Sequence, residues 1–252
     1  MKGVRLPDGT FSGTMRQILD LGNLKMKVMV STGESDESVK HLIGNKVLGY
    51  QWNATTDLMG VNFQIFLCNK KRKMRELPAL TVDTLDLLRS APLTKRICLG
   101  ITNSFLDFLG ISCPFTLRFK LLMRQLLENQ SKQLDWNDEI PVEVSENMRI
   151  LIAEAVQSDS LCFPRSVRPA SAVGQPLVVE FADGAFPAFS ANIYLQWRVL
   201  CEHDFLECPE CTEDYEANLL WAKARVTPVT GFTIPRSELS GSVLGSRMAV
   251  TL

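Results

Sequence analysis

Histidine is nearly absent, with His41 and His203 the only two in 252 residues. Imidazole acid–base chemistry therefore has little support. No GxSxG or HExxH motif occurs, so two common hydrolase signatures are missing. Ala182-Asp183-Gly184 lacks the hydroxyl residue between Asp and Gly that an aspartic protease loop needs. No apolar run is long enough to span a bilayer, so no membrane partner is expected. Met1-Lys2-Gly3-Val4-Arg5 lacks the apolar core of a signal peptide, and an intracellular location, cytoplasmic or nuclear, is expected. The seven cysteines are an odd number, mostly single and in apolar surroundings such as Cys68, Cys98 and Cys113. They read as reduced small hydrophobes.

What is present is ordinary globular composition, 46% hydrophobic and 22% charged, enough for one large or two small domains. The net charge of −1 hides a division. Residues 1–135 hold 19 Lys+Arg against 12 Asp+Glu, while residues 136–252 hold 8 against 16. The first part suits a phosphate backbone; the second repels one unless metal ions intervene. Chance surface charge is the plainer alternative.

Along the chain, Phe11 to Leu21 has helical spacing and Leu24 to Val30 alternates as a strand. Lys46–Trp52 and Val61–Leu67 read as a hairpin around a turn-rich loop. Lys70, Lys71, Arg72, Lys73 and Arg75 put five positive charges in six residues, a phosphate-binding run or a solvated loop. Leu93–Gly110 reads as a helix capped by Thr94 and stopped by Gly110. Pro114 then opens a second helix, Phe115–Asn129. Trp136 anchors an acidic connector before a helix over Val142–Gln157, and a Pro- and Ser-containing link runs to Pro176.

The terminal segment is organised around Leu177-Val178-Val179-Glu180-Phe181-Ala182-Asp183-Gly184, a strand that delivers a carboxylate beside a glycine. Strands over Phe189–Leu200 and Ala217–Val226 extend it into an antiparallel meander, with the Asp183 strand expected at the centre of the sheet and a helix over Arg236–Val250 packed across it. That helix carries Glu238, with Gly241, Ser242, Gly245 and Ala249 as a small-residue face for close approach to a strand. Asp183 and Glu238 are candidate catalytic and Mg²⁺-binding carboxylates, half of an acidic cluster. A close-packed glycine face with a solvent-exposed Glu238 is the alternative. Cys201, His203, Cys208 and Cys211 offer a four-ligand Zn²⁺ site, or else a surface loop with reduced thiols.

Several stretches, in order, resemble Pol polyproteins of BEL/Pao LTR retrotransposons, the region catalogued as the Pao retrotransposon peptidase family. They are Lys46–Trp52, Leu93-Thr94-Lys95-Arg96-Ile97, Phe105–Gly110, Pro114–Lys120, Leu134-Asp135-Trp136, Phe181–Gly184, Ala222–Pro228 and Ile234–Leu239. The resemblance implies an α+β chain with a map. Residues 1–80 would be the end of a reverse-transcriptase palm, 81–133 a thumb-like helical hairpin, 134–176 a connection, and 177–252 a truncated RNase H-like sheet with one packed helix. Gly49 and Tyr50, in the palm-end hairpin, would approach nucleic acid beside the basic run. Asp183 and Glu238 would be the first two RNase H metal ligands, with the others expected beyond Leu252. The palm's Tyr-x-Asp-Asp motif does not occur in the sequence. The parent would copy RNA and hydrolyse the RNA strand of an RNA–DNA hybrid with Mg²⁺, the fragment alone being inactive. Partners would be the hybrid or other nucleic acid, and the rest of Pol. The rival readings are a domesticated nucleic-acid-binding module without catalysis and a zinc-stabilised interaction protein.

Overall fold

The computed structural model describes residues 4–5, 11–12, 50–53, 56–61, 63–67, 78–128, 134–158, 162–199 and 214–251. The expected strand at 24–30, Gly49, the basic residues Lys70 to Arg75, and Cys201, His203, Cys208 and Cys211 all lie outside them.

The architecture is α+β. Strands β1 (Val4–Arg5) and β2 (Phe11–Ser12) form a two-residue antiparallel ladder. Strands β3 (Tyr50–Asn53), β4 (Leu58–Val61) and β5 (Cys162–Pro164) form one antiparallel sheet. Strands β6 (Ala172–Ala185), β7 (Ala188–Val199) and β8 (Asp214–Val226) form the terminal sheet, in that order. The helices are α1 (Asp86–Ser90), α2 (Lys95–Thr102), α3 (Cys113–Leu127), α4 (Val142–Gln157) and α5 (Ile234–Val250). Among the described residues, no helix is long and apolar enough to cross a membrane.

The largest core lies under the helices. Phe119, Ile65, Met148, Ile152 and Leu126 are essentially inaccessible there. Phe63, Phe105, Phe115 and Phe119 pack as a chain of ring contacts with centroids 4.6–5.8 Å apart. Burying each such side chain is worth about 1.5–3 kcal/mol before entropy is counted, so this layer dominates the stability. Two smaller cores flank the terminal sheet. Ala191 and Ile193 of β7 meet Leu244 and Met248 of α5 on one face. Cys113 and Leu117 of α3 meet Ala222 and Ala224 of β8 on the other.

The α2 helix is shorter than its apolar spacing predicts. Thr94 caps it, accepting from the Ile97 amide at 3.3 Å, but it ends at Thr102 rather than Gly110. Asp107 explains the difference. Its carboxylate accepts from the Ile111 and Ser112 amides at 3.1 and 2.8 Å, from Ser112 Oγ at 2.6 Å, and from the Tyr50 hydroxyl. These bonds compete with a helix and make a loop. Gly110 adopts φ +71° in that loop, and a Cβ there would overlap the Ala222 carbonyl. The Ala222 amide donates to Leu109 O at 2.8 Å, so the loop closes part of the β8 edge.

Arg124 of α3 is the second tie. Its guanidinium is buried and donates to Thr227 Oγ1 at 2.6 Å, to Pro228 O at 3.3 Å and to Thr227 O, and lies 4.7 Å from the Phe186 ring centroid. The far end of β8 and the β6–β7 turn are thereby fixed to the helical layer.

Candidate functional site

β6 forms where branched and aromatic residues favour extended backbone. It pairs with β7 in continuous register from Leu177↔Gln196 to Ala185↔Ala188. The strand is an edge of its sheet, not the central strand that a carboxylate-bearing core would suggest. One side of β6 pairs β7; the other has no strand among the described residues.

α5 lies against β6 and β7 through small residues, as its sequence predicts. A Cβ on Gly184 would overlap the backbone of Ser237 and Glu238. One on Gly241 would sit 2.8 Å from the Asp183 carbonyl oxygen. Ser237 is 1% exposed, and its hydroxyl donates to Ala185 O at 2.9 Å. This bond pins the start of α5 to the end of β6. Ser242, expected on the contact face, is exposed; Leu244 and Met248 fill the contact with the two glycines.

The contact makes Asp183 and Glu238 backbone neighbours, each one residue from the Gly184–Ser237 touching point. Both side chains are exposed. Asp183 Oδ1 accepts from the Gly184 amide at 2.8 Å. Strand alternation sends Gly184 and Glu180 towards α5 and Asp183 to the other side of β6. An ion held by Asp183 and Glu238 would therefore sit at the rim of the β6 edge, not between sheet and helix. Mg²⁺ prefers oxygen ligands and keeps several waters when only one or two carboxylates hold it. Among the described residues, no group of three or more His, Cys, Asp or Glu converges on a metal position.

Glu180 is a third carboxylate beside α5, its side chain packed against Gly245. Its place in an alternating strand is the signal that could have found it: it shares a parity with Gly184.

Tyr50, the described member of the expected nucleic-acid residues, is 4% exposed. Its hydroxyl donates to Asp107 and accepts from the Leu109 amide at 2.9 Å. Burial, and then the bond to Asp107, hold its proton well above the usual tyrosine range. The side chain ties the β3–β4 hairpin to the loop that closes β8.

Asp57, at the hairpin turn, accepts from Arg165 Nε at 2.7 Å and from Trp52 Nε1 at 2.9 Å. The Arg165 bond, then the Trp52 bond, hold its carboxyl below the usual range. This triad joins β5 to the hairpin, an association that the sequence, read as a link over Cys162–Arg165, does not show.

The family described as Pao retrotransposon-like RNaseH-like domain matches residues 94–252. No curated protein and no solved structure matches the chain.

Proposed function

The chain belongs to the Pao retrotransposon-like RNaseH-like domain family, in the Pol region of a BEL/Pao retrotransposon, and from that premise we propose that it binds RNA–DNA hybrid and presents Asp183 and Glu238 to Mg²⁺. The observation that carries this reading is the close contact of Gly184 with the Ser237–Glu238 backbone. It makes Asp183 of the strand and Glu238 of the helix backbone neighbours beside an open edge, which supports a shared ion without fixing where the two carboxylates point. Mg²⁺ there would supply charge stabilisation at a phosphodiester and a more acidic water. The chain's own part is to orient the two carboxylates: Ser237 fixes the helix start, and Gly184 and Gly241 allow the approach. With two protein carboxylates, affinity for the free ion is weak and rises when a phosphate completes the shell.

Within the same reading, residues 1–80 are the end of a reverse-transcriptase palm and 81–133 a thumb-like unit, with the rest of Pol as partner. The packing of Tyr50 onto the α2–α3 loop supports a joined hairpin and helical unit.

The test is hybrid binding by fluorescence anisotropy with Mg²⁺ or with chelator. Wild-type protein should bind a labelled RNA–DNA hybrid several-fold more tightly with Mg²⁺, and Asp183→Asn should remove that gain. An unchanged Mg²⁺ increment in Asp183→Asn contradicts the assignment.

A further inference from the structure

Beyond residue 200 the charges are divided along the sequence. Glu202, Asp204, Glu207, Glu210, Glu213, Asp214 and Glu216 come first. After them stand Lys223, Arg225, Arg236 and Arg247, with Glu238 the only acid. The fold brings three of those cations to one place. Trp221, Lys223 and Arg225 pair with Ile193, Ala191 and Phe189, and alternation puts all three on the α5 side of the edge strand β8. Arg247 reaches the same place from α5. With Phe189 and Met248 they line a trough of about 470 Å³ between strand and helix, within the size range of ligand sites.

Lys223 Nζ lies 5.9 Å from the Trp221 ring centroid. Arg225 and Arg247 are exposed, and Lys223 is half-buried. The salt bridges among the described residues are Arg89–Asp86, Arg118–Glu154, Arg124–Glu128 and Arg165–Asp57, so none of the three trough cations has a carboxylate partner there. Three like charges around one hollow repel each other, and a bound anion relieves that repulsion. An aromatic ring beside several cations is the combination that stacks a base while holding its phosphates.

We propose that this trough binds a single strand of nucleic acid, with a base against Trp221 and phosphates at Lys223, Arg225 and Arg247. The proposal rests on the nucleic-acid reading above but uses the sheet edge opposite Asp183. A single strand fits better than a duplex because Trp221 lines the hollow half-buried, and only an unstacked base offers its face to the ring. An acidic peptide would satisfy the cations but leave the Trp221 ring without a stacking partner.

The experiment uses the full chain in chelator, so that metal binding at Asp183 does not enter. Labelled oligothymidylate is titrated across a salt series against wild type and against Lys223→Gln/Arg225→Gln/Arg247→Gln, with far-UV circular dichroism as the check on folding. The triple variant should bind at least tenfold more weakly. Losing three contacts at about 0.7 per phosphate should flatten its log–log salt slope by about two. Its Mg²⁺ increment on hybrid should persist, because that increment belongs to the other edge. Affinity and slope equal to wild type in a folded triple variant overturn the trough, whatever the hybrid assay shows. Polyglutamate binding as tight as oligothymidylate overturns it too. Loss of Mg²⁺ dependence alone counts against the Asp183 reading and leaves the trough standing. If the triple variant misfolds, Trp221→Phe and single Arg247→Gln provide the same comparison with smaller expected losses.

Discussion

The two edges of the terminal sheet are built for different ends. β8 is tied to the helical layer: the Leu109 carbonyl accepts its Ala222 amide, Gly110 presses on its backbone, and Arg124 clasps Thr227. β6 is gripped by α5 through Gly184, Ser237 and Gly241, and among the described residues the helical layer reaches it only at its turn into β7, where Arg124 meets Phe186 and Pro187. Asp183 and Glu238 are backbone neighbours beside the β6 edge, while the cations Lys223 and Arg225 lie on the anchored strand. The net acidity of residues 136–252 concealed this, because a regional sum averages over edges that never meet.

The comparison breaks most severely if the β8 tie is removed. Gly110→Ala places a side chain at φ +71° and against the Ala222 carbonyl, which adds backbone strain to an overlap. The expected loss is about 3 kcal/mol in urea unfolding, and a loss below a few tenths would show that the loop does not anchor β8. Arg124→Ala removes a buried guanidinium and strands the carbonyls it serves. A loss of about 2–3 kcal/mol is expected by the same measurement.

At the other edge the damage should be local. Gly184→Ala overlaps the Ser237 and Glu238 backbone, which cannot yield without moving α5. Hydrogen exchange should show α5 amides exposed by about 2 kcal/mol of lost protection while α3 and α4 keep theirs. Equal loss in both layers would erase the distinction between the edges. Gly245→Ala meets only the end of the Glu180 side chain, which can swing away. Its cost should stay under about 1 kcal/mol and vanish in the Glu180→Ala background.

A smaller effect concerns pH in the helical layer. Burial raises the Cys98 thiol from its ordinary 9.0 to about 12. The folded protein keeps that proton where the unfolded chain loses it. The stabilisation is full below about pH 9 and is lost as pH rises towards 12. Cys98→Ala should flatten this alkaline limb in denaturation curves; an unaltered limb would assign it to other groups.

Much of the fold was legible because it depends on local pattern. Val142–Gln157 is a helix over the predicted span, and β7, β8 and α5 lie within a few residues of their predicted bounds. The small-residue face of α5 was readable because glycines at helical spacing leave room that something must occupy. What stayed hidden depends on distant partners. Phe105–Gly110 has helical spacing, but Asp107 binds Ser112 and Tyr50 instead, and Tyr50 is 57 residues away in sequence. Nothing in Arg124's helical pattern announces Thr227, 103 residues on. β6 is expected from its sequence at the centre of the sheet and is an edge, because pairing order is a property of the whole sheet. The trough at β8 escaped for the same reason: Trp221, Lys223 and Arg225 are visible as an alternating triplet, but Arg247 joins them only through α5.

The proposal that Asp183 and Glu238 share an ion can be tested most directly with Mn²⁺ in place of Mg²⁺, read by paramagnetic broadening of backbone amide signals. If Asp183 and Glu238 hold one ion, the amides of Gly184 and Glu238 should broaden together at the same Mn²⁺ concentration, and Asp183→Asn should abolish both effects. Broadening confined to one of the two elements, or surviving in Asp183→Asn, would contradict a site shared across the β6–α5 contact.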